Sequence, residues 1–416
     1  MIKALKKLKS KEFTVSPDLS KYIFNTHYVS YTPEKIALIG GYVDDDVAVP
    51  GTEKIQNYYR TNDRHFVSIN RKIYEIIDGT LNQVSERSLS GVVHYINVLY
   101  KGKEEVYFFD LYDGFLTGGE TPPKFIPPFN YYDVYDGRIF FGKNNRLYFS
   151  RDFNKKESSF DLRADYFIDL KTRYGGIAGI KRQNDKLYVF CKKSILCVQS
   201  DDSVLGIKVS ETNFCGLNIR KSSVAENNGQ VTFINDGQVC RFDGKKITQT
   251  GYYVSEEEDV LSLPRTNGKY YIKDIEEPFS SRCVIVVDVE EPSQFRMPIY
   301  QDMILSRENG GGVNTSNRKL VTFSPDSMPY LNGYYSTKTI KLCDEKWVMI
   351  VGISAEVKGS CNLKIRDGYN TVTYQISEEK NSIKCFHINN KIDLTFENFS
   401  QGFELKNIKI KLRTRK

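Results

Sequence analysis

"GQVTFINDGQVCRFDG" (residues 229–244) holds two β-rich runs, "QVTFI" and "QVCRF", on either side of Asn235-Asp236-Gly237, and it closes on Asp243-Gly244. Val, Phe and Ile suit a pleated, half-buried surface, and the intervening residues tolerate the positive φ of a tight turn, so the stretch predicts a β-hairpin. Asp243-Gly244 is compatible with a further type I′ turn and predicts where the second strand ends. Adjacent inner strands of a propeller blade meet in this way. A generic series of sandwich hairpins would use the same turn chemistry, so recurrence along the chain has to separate the two.

The design recurs. "RHFVSINRKIYEIIDGTLNQV" (64–84), "HYINVLYKGKEEVYFFDLYDG" (94–114), "DGRIFFGKNNRLYFSRD" (136–152), "DKLYVFCKKSILCVQSDD" (185–202) and "GKYYIKDIEEPFSSRCVIVVDVE" (268–290) each join two strands through a short polar turn. Their starts fall roughly 30 to 50 residues apart, the period of four-stranded blades. No WD or kelch signature marks them. The expected fold class is therefore all-β: a propeller-like repeat domain with a C-terminal β-sandwich.

Domain limits follow from changes in pattern. Residues 1–60 read as an N-terminal arm with the first strands, and 61–305 as the propeller. Residues 306–325, with Gly310, Gly311 and Gly312 among polar residues, read as a hinge or loop. Residues 326–416 read as the sandwich, where strands such as "KWVMIVGISAEV" and "FELKNIKIKLRTR" are longer. In the last, Ile408, Ile410 and Leu412 alternate with Lys409, Lys411 and Arg413, which predicts one buried face and one row of positive charge. Trp347 reads as a core anchor of this domain.

Composition agrees with β structure: seven Ala stand against 28 Tyr and 25 Phe. The net charge of +7 is unevenly placed, because residues 1–12 carry +4, residues 406–416 carry +6, and the intervening 393 residues sum to −3. A basic groove along the body is thus not expected. No run of about 18 apolar residues is present, and "MIKALKKLKSKEF" lacks an apolar core or cleavage site, so neither membrane insertion nor a signal peptide is expected. The eight Cys show no paired metal spacing and the four His no close pairing, which predicts reduced structural thiols and no metal or other cofactor.

Propellers also host glycosidases. "SPDSMPY" (324–330) shares a Ser-x-Asp with the Asp-box turn of sialidases but lacks its Gly and Trp and occurs once. Asp44-Asp45-Asp46 and Glu256-Glu257-Glu258 read as solvated turns rather than acid/base pairs. "NGGGVN" has neither the Lys nor the Ser/Thr of a phosphate loop. No catalytic residue and no enzymatic activity are expected.

One serial order points further. Arg146 to Ser150 ("RLYFS"), Asp152-Phe153, Phe160, Ile168 to Leu170 ("IDL"), Gly176 to Ile180 ("GIAGI"), and Asp185 to Phe190 ("DKLYVF") with Ile195 follow one another as in β-propeller tail components of short-tailed bacteriophages. The order resembles that of the hub, nozzle and packaged-DNA stabilisation proteins below the portal. "VPGTEKI" (49–55) and "YYSTKTIKL" (334–342) resemble further stretches of such chains. The resemblance implies a structural virion protein, made in the host cytoplasm and placed in the tail. It implies a homo-oligomeric ring, a hexamer, that contacts portal or adaptor and other tail proteins, passes double-stranded DNA without sequence-specific binding, and opens on ejection. In that setting Lys6, Lys7, Lys9, Lys409, Lys411 and Arg413 are the candidate ring or subunit contacts. The alternative is a carbohydrate-binding adhesin propeller for receptor recognition.

Overall fold

The computed structural model describes residues 8–15, 23–27, 29–31, 35–38, 42–61, 64–118, 126–153, 162–201, 206–227, 229–253, 269–274, 282–288, 293–299, 303–305, 311–323, 333–337, 339–342, 348–368 and 370–415. Strands dominate, and the only helix among these residues is one 3-10 turn, Thr172–Tyr174. The chain divides into two units: residues 1–43, 283–299 and 323–416 form one, and residues 44–282 and 300–322 the other.

The second unit is the propeller. Five sheets follow in chain order: Ile55–Thr61 to Thr80–Gln83, His94–Tyr100 to Gly114–Leu116, Tyr131–Tyr135 to Leu162–Asp169, Ile177–Gln183 to Ile207–Cys215, and Ala225–Asn227 to Ile247–Tyr253. They are called here the first to fifth blades. All have four antiparallel strands except the second, which has three. Asp136-Gly137 (φ 47° and 65°) and Asp236-Gly237 (φ 49° and 76°) join first to second and second to third strands with left-handed pairs, as a two-residue hairpin requires. At Asp243-Gly244 the outcome differs from the expected I′ turn. Gly244 alone is left-handed, and the Asp243 carboxylate instead accepts the N–H groups of Lys245 and Lys246.

Blades stack because each second strand is apolar on both faces and side chains alternate across a strand. In the second blade Val106 and Phe108 pack toward the first with Tyr59 and Phe66, while Tyr107 and Phe109 pack toward the third with Ile139 and Phe141. Leu187 and Val189 of the fourth blade join Phe140 of the third, and Tyr188 and Phe190 join Phe233 and Phe242 of the fifth. "RLYFS" obeys the same rule: Leu147 and Phe149 lie in one cluster and Tyr148 packs on the other. Each buried aromatic or aliphatic side chain contributes about 1.5–3 kcal/mol of transfer free energy, so the clusters between blades hold the unit together.

A sixth sheet overturns the expected hinge at 306–325. Gly311–Asn314 and Lys319–Phe323 are strands, and with Met303–Leu305 and the early strand Tyr42–Ala48 they form a closing blade. Val313 and Leu320 share a core with Val49, Ile55 and Val67 of the first blade's side. Gly311 serves packing: a Cβ on it would lie 3.1 Å from Arg60 Nη1. Asp44 and Asp45, read as part of a solvated turn, stand on the paired strand and accept from Asn317 (2.7 Å) and Thr322 (2.8 Å). The expected hairpin at 268–290 does form strands Lys269–Asp274 and Arg282–Asp288, but residues 283–299 group with the other unit.

The first unit is the sandwich. One sheet includes, in order, Arg282–Asp288, Ser293–Ile299, Val29–Tyr31, Lys35–Leu38, Glu404–Arg415, Val348–Lys358 and Ser382–Ile383, with Leu8–Val15 and His387–Ile388 also paired into it. The other runs Ile23–His27, Tyr334–Thr337, Lys391–Glu397, Ser360–Arg366 and Thr371–Ser377, with Ile340–Lys341 paired to the third of these. Ile353, Ile408, Ile410 and Leu412 from the first sheet meet Leu363, Ile365, Leu394 and Phe396 from the second in one core. The expected arm at 1–60 therefore divides between domains, since strands up to Leu38 belong here. Trp347, Phe160, the 324–330 stretch and Glu256 to Glu258 lie outside the described residues.

Candidate functional site

Two places concentrate polar chemistry. The first is in the propeller, where residues at or near the ends of the first and second strands of the first four blades line a cavity of about 660 Å³. Its charged lining is Arg64, Glu104, Glu105, Asp136, Arg182 and Asp185. Most of these are engaged by the fold. Arg64 makes a bidentate pair with Glu75 at 2.6 and 2.8 Å, which with the charge of Glu75 and Glu105 holds its guanidinium above the usual range. Thr117 donates to Glu105 and Ser200 to Asp136. The Arg182 guanidinium donates to the Asn184 carbonyl at 3.3 Å. No described Ser or Cys in this lining is aligned with a base, and among the described residues no cluster of three His, Cys, Asp or Glu is placed to hold a metal.

The second place is the sheet that pairs residues 8–15 with the basic strand at 404–415. Leu8–Val15 pairs antiparallel with Glu404–Arg415, from Leu8 opposite Arg415 to Val15 opposite Ile408. The sequence places these segments about 400 residues apart, and the fold makes them neighbours. Lys409, Lys411 and Arg413 are exposed while Ile408, Ile410 and Leu412 are buried, so the expected alternation is present. Lys9 lies opposite Thr414, whereas Lys6 and Lys7 fall outside the described residues. The face is not purely cationic, because Glu12 pairs with Lys409 at 3.2 Å. Exposed pairs of this kind contribute about 0–1 kcal/mol, which leaves the row available to a partner.

Two buried aspartates escaped the reading of the sequence. Asp110 carries four backbone N–H donors on its carboxylate, from Ser90, Gly91, Tyr112 and Asp113, at 2.7–3.0 Å. Burial alone would raise this carboxyl, but the four donors hold it below its usual range. The signal in the sequence was "DLYDG" (110–114), a short Asp-rich turn between apolar strands. In the sandwich, His387 Nδ1 lies 3.0 Å from Asp367 Oδ2 and His387 Nε2 lies 3.2 Å from the Tyr374 hydroxyl. His387 and Asp367 are buried, and the chain of contacts satisfies both.

Comparison with known proteins gives likeness of fold only. No protein-family model and no curated protein matches the chain. Among solved structures, PorZ, a surface component of the type-IX secretion system of Porphyromonas gingivalis, is similar at 12% identity and a TM-score of 0.40. That similarity covers 81% of this chain and 46% of PorZ, so the chain spans less than half of that protein. Kluyveromyces lactis Hsv2 is similar at 12% identity and a TM-score of 0.38 over 70% of this chain and 95% of that one. YCF48 bound to D1 peptide gives 8% identity and a TM-score of 0.33 over 71% and 96%.

Proposed function

We propose that the chain is a non-catalytic structural protein of a short-tailed bacteriophage, a ring-forming hub or nozzle below the portal that extends and seals the DNA exit channel and opens on ejection. The observation that carries this reading is the pairing of Leu8–Val15 with Glu404–Arg415, which leaves Lys409, Lys411 and Arg413 exposed in a row. A fixed row of cations on a rigid strand suits docking against an acidic surface on a neighbouring ring or subunit. The body, at −3, would let a duplex slide past without holding it. Of the tail-like serial order, Arg146 to Ser150 and Ile168-Asp169 stand on the third and fourth strands of the third blade, Ile177 to Ile180 and Lys186 to Phe190 on the first two strands of the fourth, and Ile195 on its third.

Charge reversal of Lys409, Lys411 and Arg413 to Glu, followed by mixing with portal-containing particles, tests the docking role. Loss of incorporation with an unchanged melting curve supports it, and unchanged incorporation removes it. Tight, salt-sensitive duplex binding by the unaltered chain would argue against a passive conduit. The adhesin alternative draws on the 660 Å³ cavity, whose Tyr135, Arg182 and Asp185 could take a polyhydroxylated ligand. A monomer that binds a glycan, with loss on Asp185→Ala, would favour it.

A further inference from the structure

The outer strand Thr371–Ser377 of the sandwich has one ladder partner among the described residues, Ser360–Arg366, and the register between them is unbroken. Hydrogen-bonded and non-hydrogen-bonded pairs alternate along such an antiparallel ladder. Asp367 N–H donates to the Asn370 carbonyl at 3.1 Å and Glu378 N–H to the Gly359 carbonyl at 3.2 Å, so the even-numbered residues between 370 and 378 turn their backbone groups toward Ser360–Arg366. Thr371, Thr373 and Gln375 therefore present N–H and C=O at the open edge. At Ser377 the edge is already closed, because its N–H goes to the Lys380 carbonyl and its carbonyl takes the Lys380 N–H.

Nothing blunts that edge. Open strand edges are normally guarded against pairing by charge, proline or a bulge. Leu8–Val15, an outer strand of the other sheet, carries Lys9, Lys11 and Glu12, and Ile23–His27, at the far margin of this sheet, pairs through a register shift. "TVTYQIS" has no charge, no proline and no shift, and Thr371, Val372, Thr373 and Gln375 are exposed. Side chains alternate across the strand, with Val372, Tyr374 and Ile376 on the core side. Ile376 lies in the core and Tyr374 packs against it, but Val372, on the same side, is still 38% exposed.

We infer that two copies of the chain pair edge to edge through this strand, antiparallel about a two-fold axis at Thr373. In that register Thr371 of each copy lies opposite Gln375 of the other and Thr373 opposite Thr373, so every open-edge N–H and C=O of both strands finds a partner. Tyr374 of one copy then stands opposite Val372 of the other on the core side, an aromatic and β-branched pair that covers the exposed valine. Sliding the pair toward Ser377 brings in groups that Lys380 already holds. A one-residue slip sets the core side of one copy against the outer side of the other. With no charge in the strand, no like charges meet across the axis. The contact is isologous and stops at two copies, so it stands apart from the ring of the proposed function and does not rest on it.

Sedimentation velocity on the full chain at up to about 100 μM tests this, because a contact below standard interface size associates weakly. The unaltered chain should show a monomer–dimer equilibrium. Thr373→Lys and Thr373→Glu should each weaken it about tenfold or more, since a charge then meets its like across the axis. An equimolar mixture of the two should restore it, since Lys then meets Glu. Thr373 turns its backbone groups away from Ser360–Arg366, so circular dichroism and melting should not change; Thr373→Pro, which removes an open-edge N–H without touching that ladder, is a further block. A chain that stays monomeric, or a mixture no tighter than its components, overturns the pairing. Assembly that ignores Thr373 also overturns it and leaves the ring reading standing.

Discussion

Gly179 in the first strand of the fourth blade lies so close to Val224, just before the fifth, that a Cβ added to it would fall 2.4 Å from the valine Cβ. Valine is stiff about χ1 and its Cβ cannot move without the backbone, so the two blades approach as closely as glycine alone permits.

Substituting Gly179 by Ala should therefore destabilise the protein by roughly 1–3 kcal/mol through overpacking. Gly142→Ala should do less harm, because the nearest atom there is the Ile180 Cδ1 methyl at 2.7 Å, the far end of a side chain that can turn away. Urea melts followed by circular dichroism rank the two, and equal midpoints would show that the blades can move apart at little cost.

Arg318 sits at the turn of the closing blade and donates to three carbonyls, Val49 (2.8 Å), Pro50 (2.8 Å) and Glu53 (2.6 Å). Only a guanidinium offers that planar set of donors. Arg318→Lys should speed amide exchange in residues 44–55 and 311–323 and leave 187–198 protected. Uniform acceleration across all blades would mean that closure and stacking form one cooperative unit.

Asp110 predicts a pH dependence. Its folded carboxyl is held below its unfolded value of about 3.9, so its contribution is present at neutral pH and is lost as the pH falls through the lower folded value. Asp110→Asn should lose about 2–3 kcal/mol at pH 7, since an amide cannot accept from all four N–H groups. Denaturation from pH 7 to pH 3 should show the gap between the two proteins shrinking below about pH 4. A gap that widens toward acid would contradict the assigned donors.

Cys215 is exposed, whereas Cys191, Cys240, Cys361 and Cys385 are buried. Burial pushes the Cys191 thiol up to about 12 and those of Cys240 and Cys385 up to about 11. Iodoacetamide at pH 8 should alkylate Cys215 ahead of these four and reach them only on unfolding. Peptide mass mapping reads the order, and early labelling of Cys191 would place the core between the third and fourth blades in doubt.

The strands and hairpins were legible because their physics is local. "KLYVF" is apolar on both faces and Asp236-Gly237 can turn, and neither needs a distant partner to be recognised. Closure was not, because it joins Asp45 to Thr322 and Arg318 to Val49 across the whole propeller. Gly311 looked like loop for a related reason: what crowds a side chain there is Arg60, far away in sequence. At the candidate site, the charged row at 409–413 could be read from alternation alone. Its neighbour could not, since "LKSKEFTV" is a short basic run until Glu404–Arg415 supplies a ladder for it.

That ladder also sets how the protein would respond to force. Leu8 and Arg415 are opposite each other, so a tether attached before the one and another attached after the other leave the sandwich at the same end of the strand pair. Tension between them peels the antiparallel bonds in sequence, from Leu8 toward Val15, instead of loading them all together. Such a joint yields at low force, and residues 44–282 stay out of the load path while it does so.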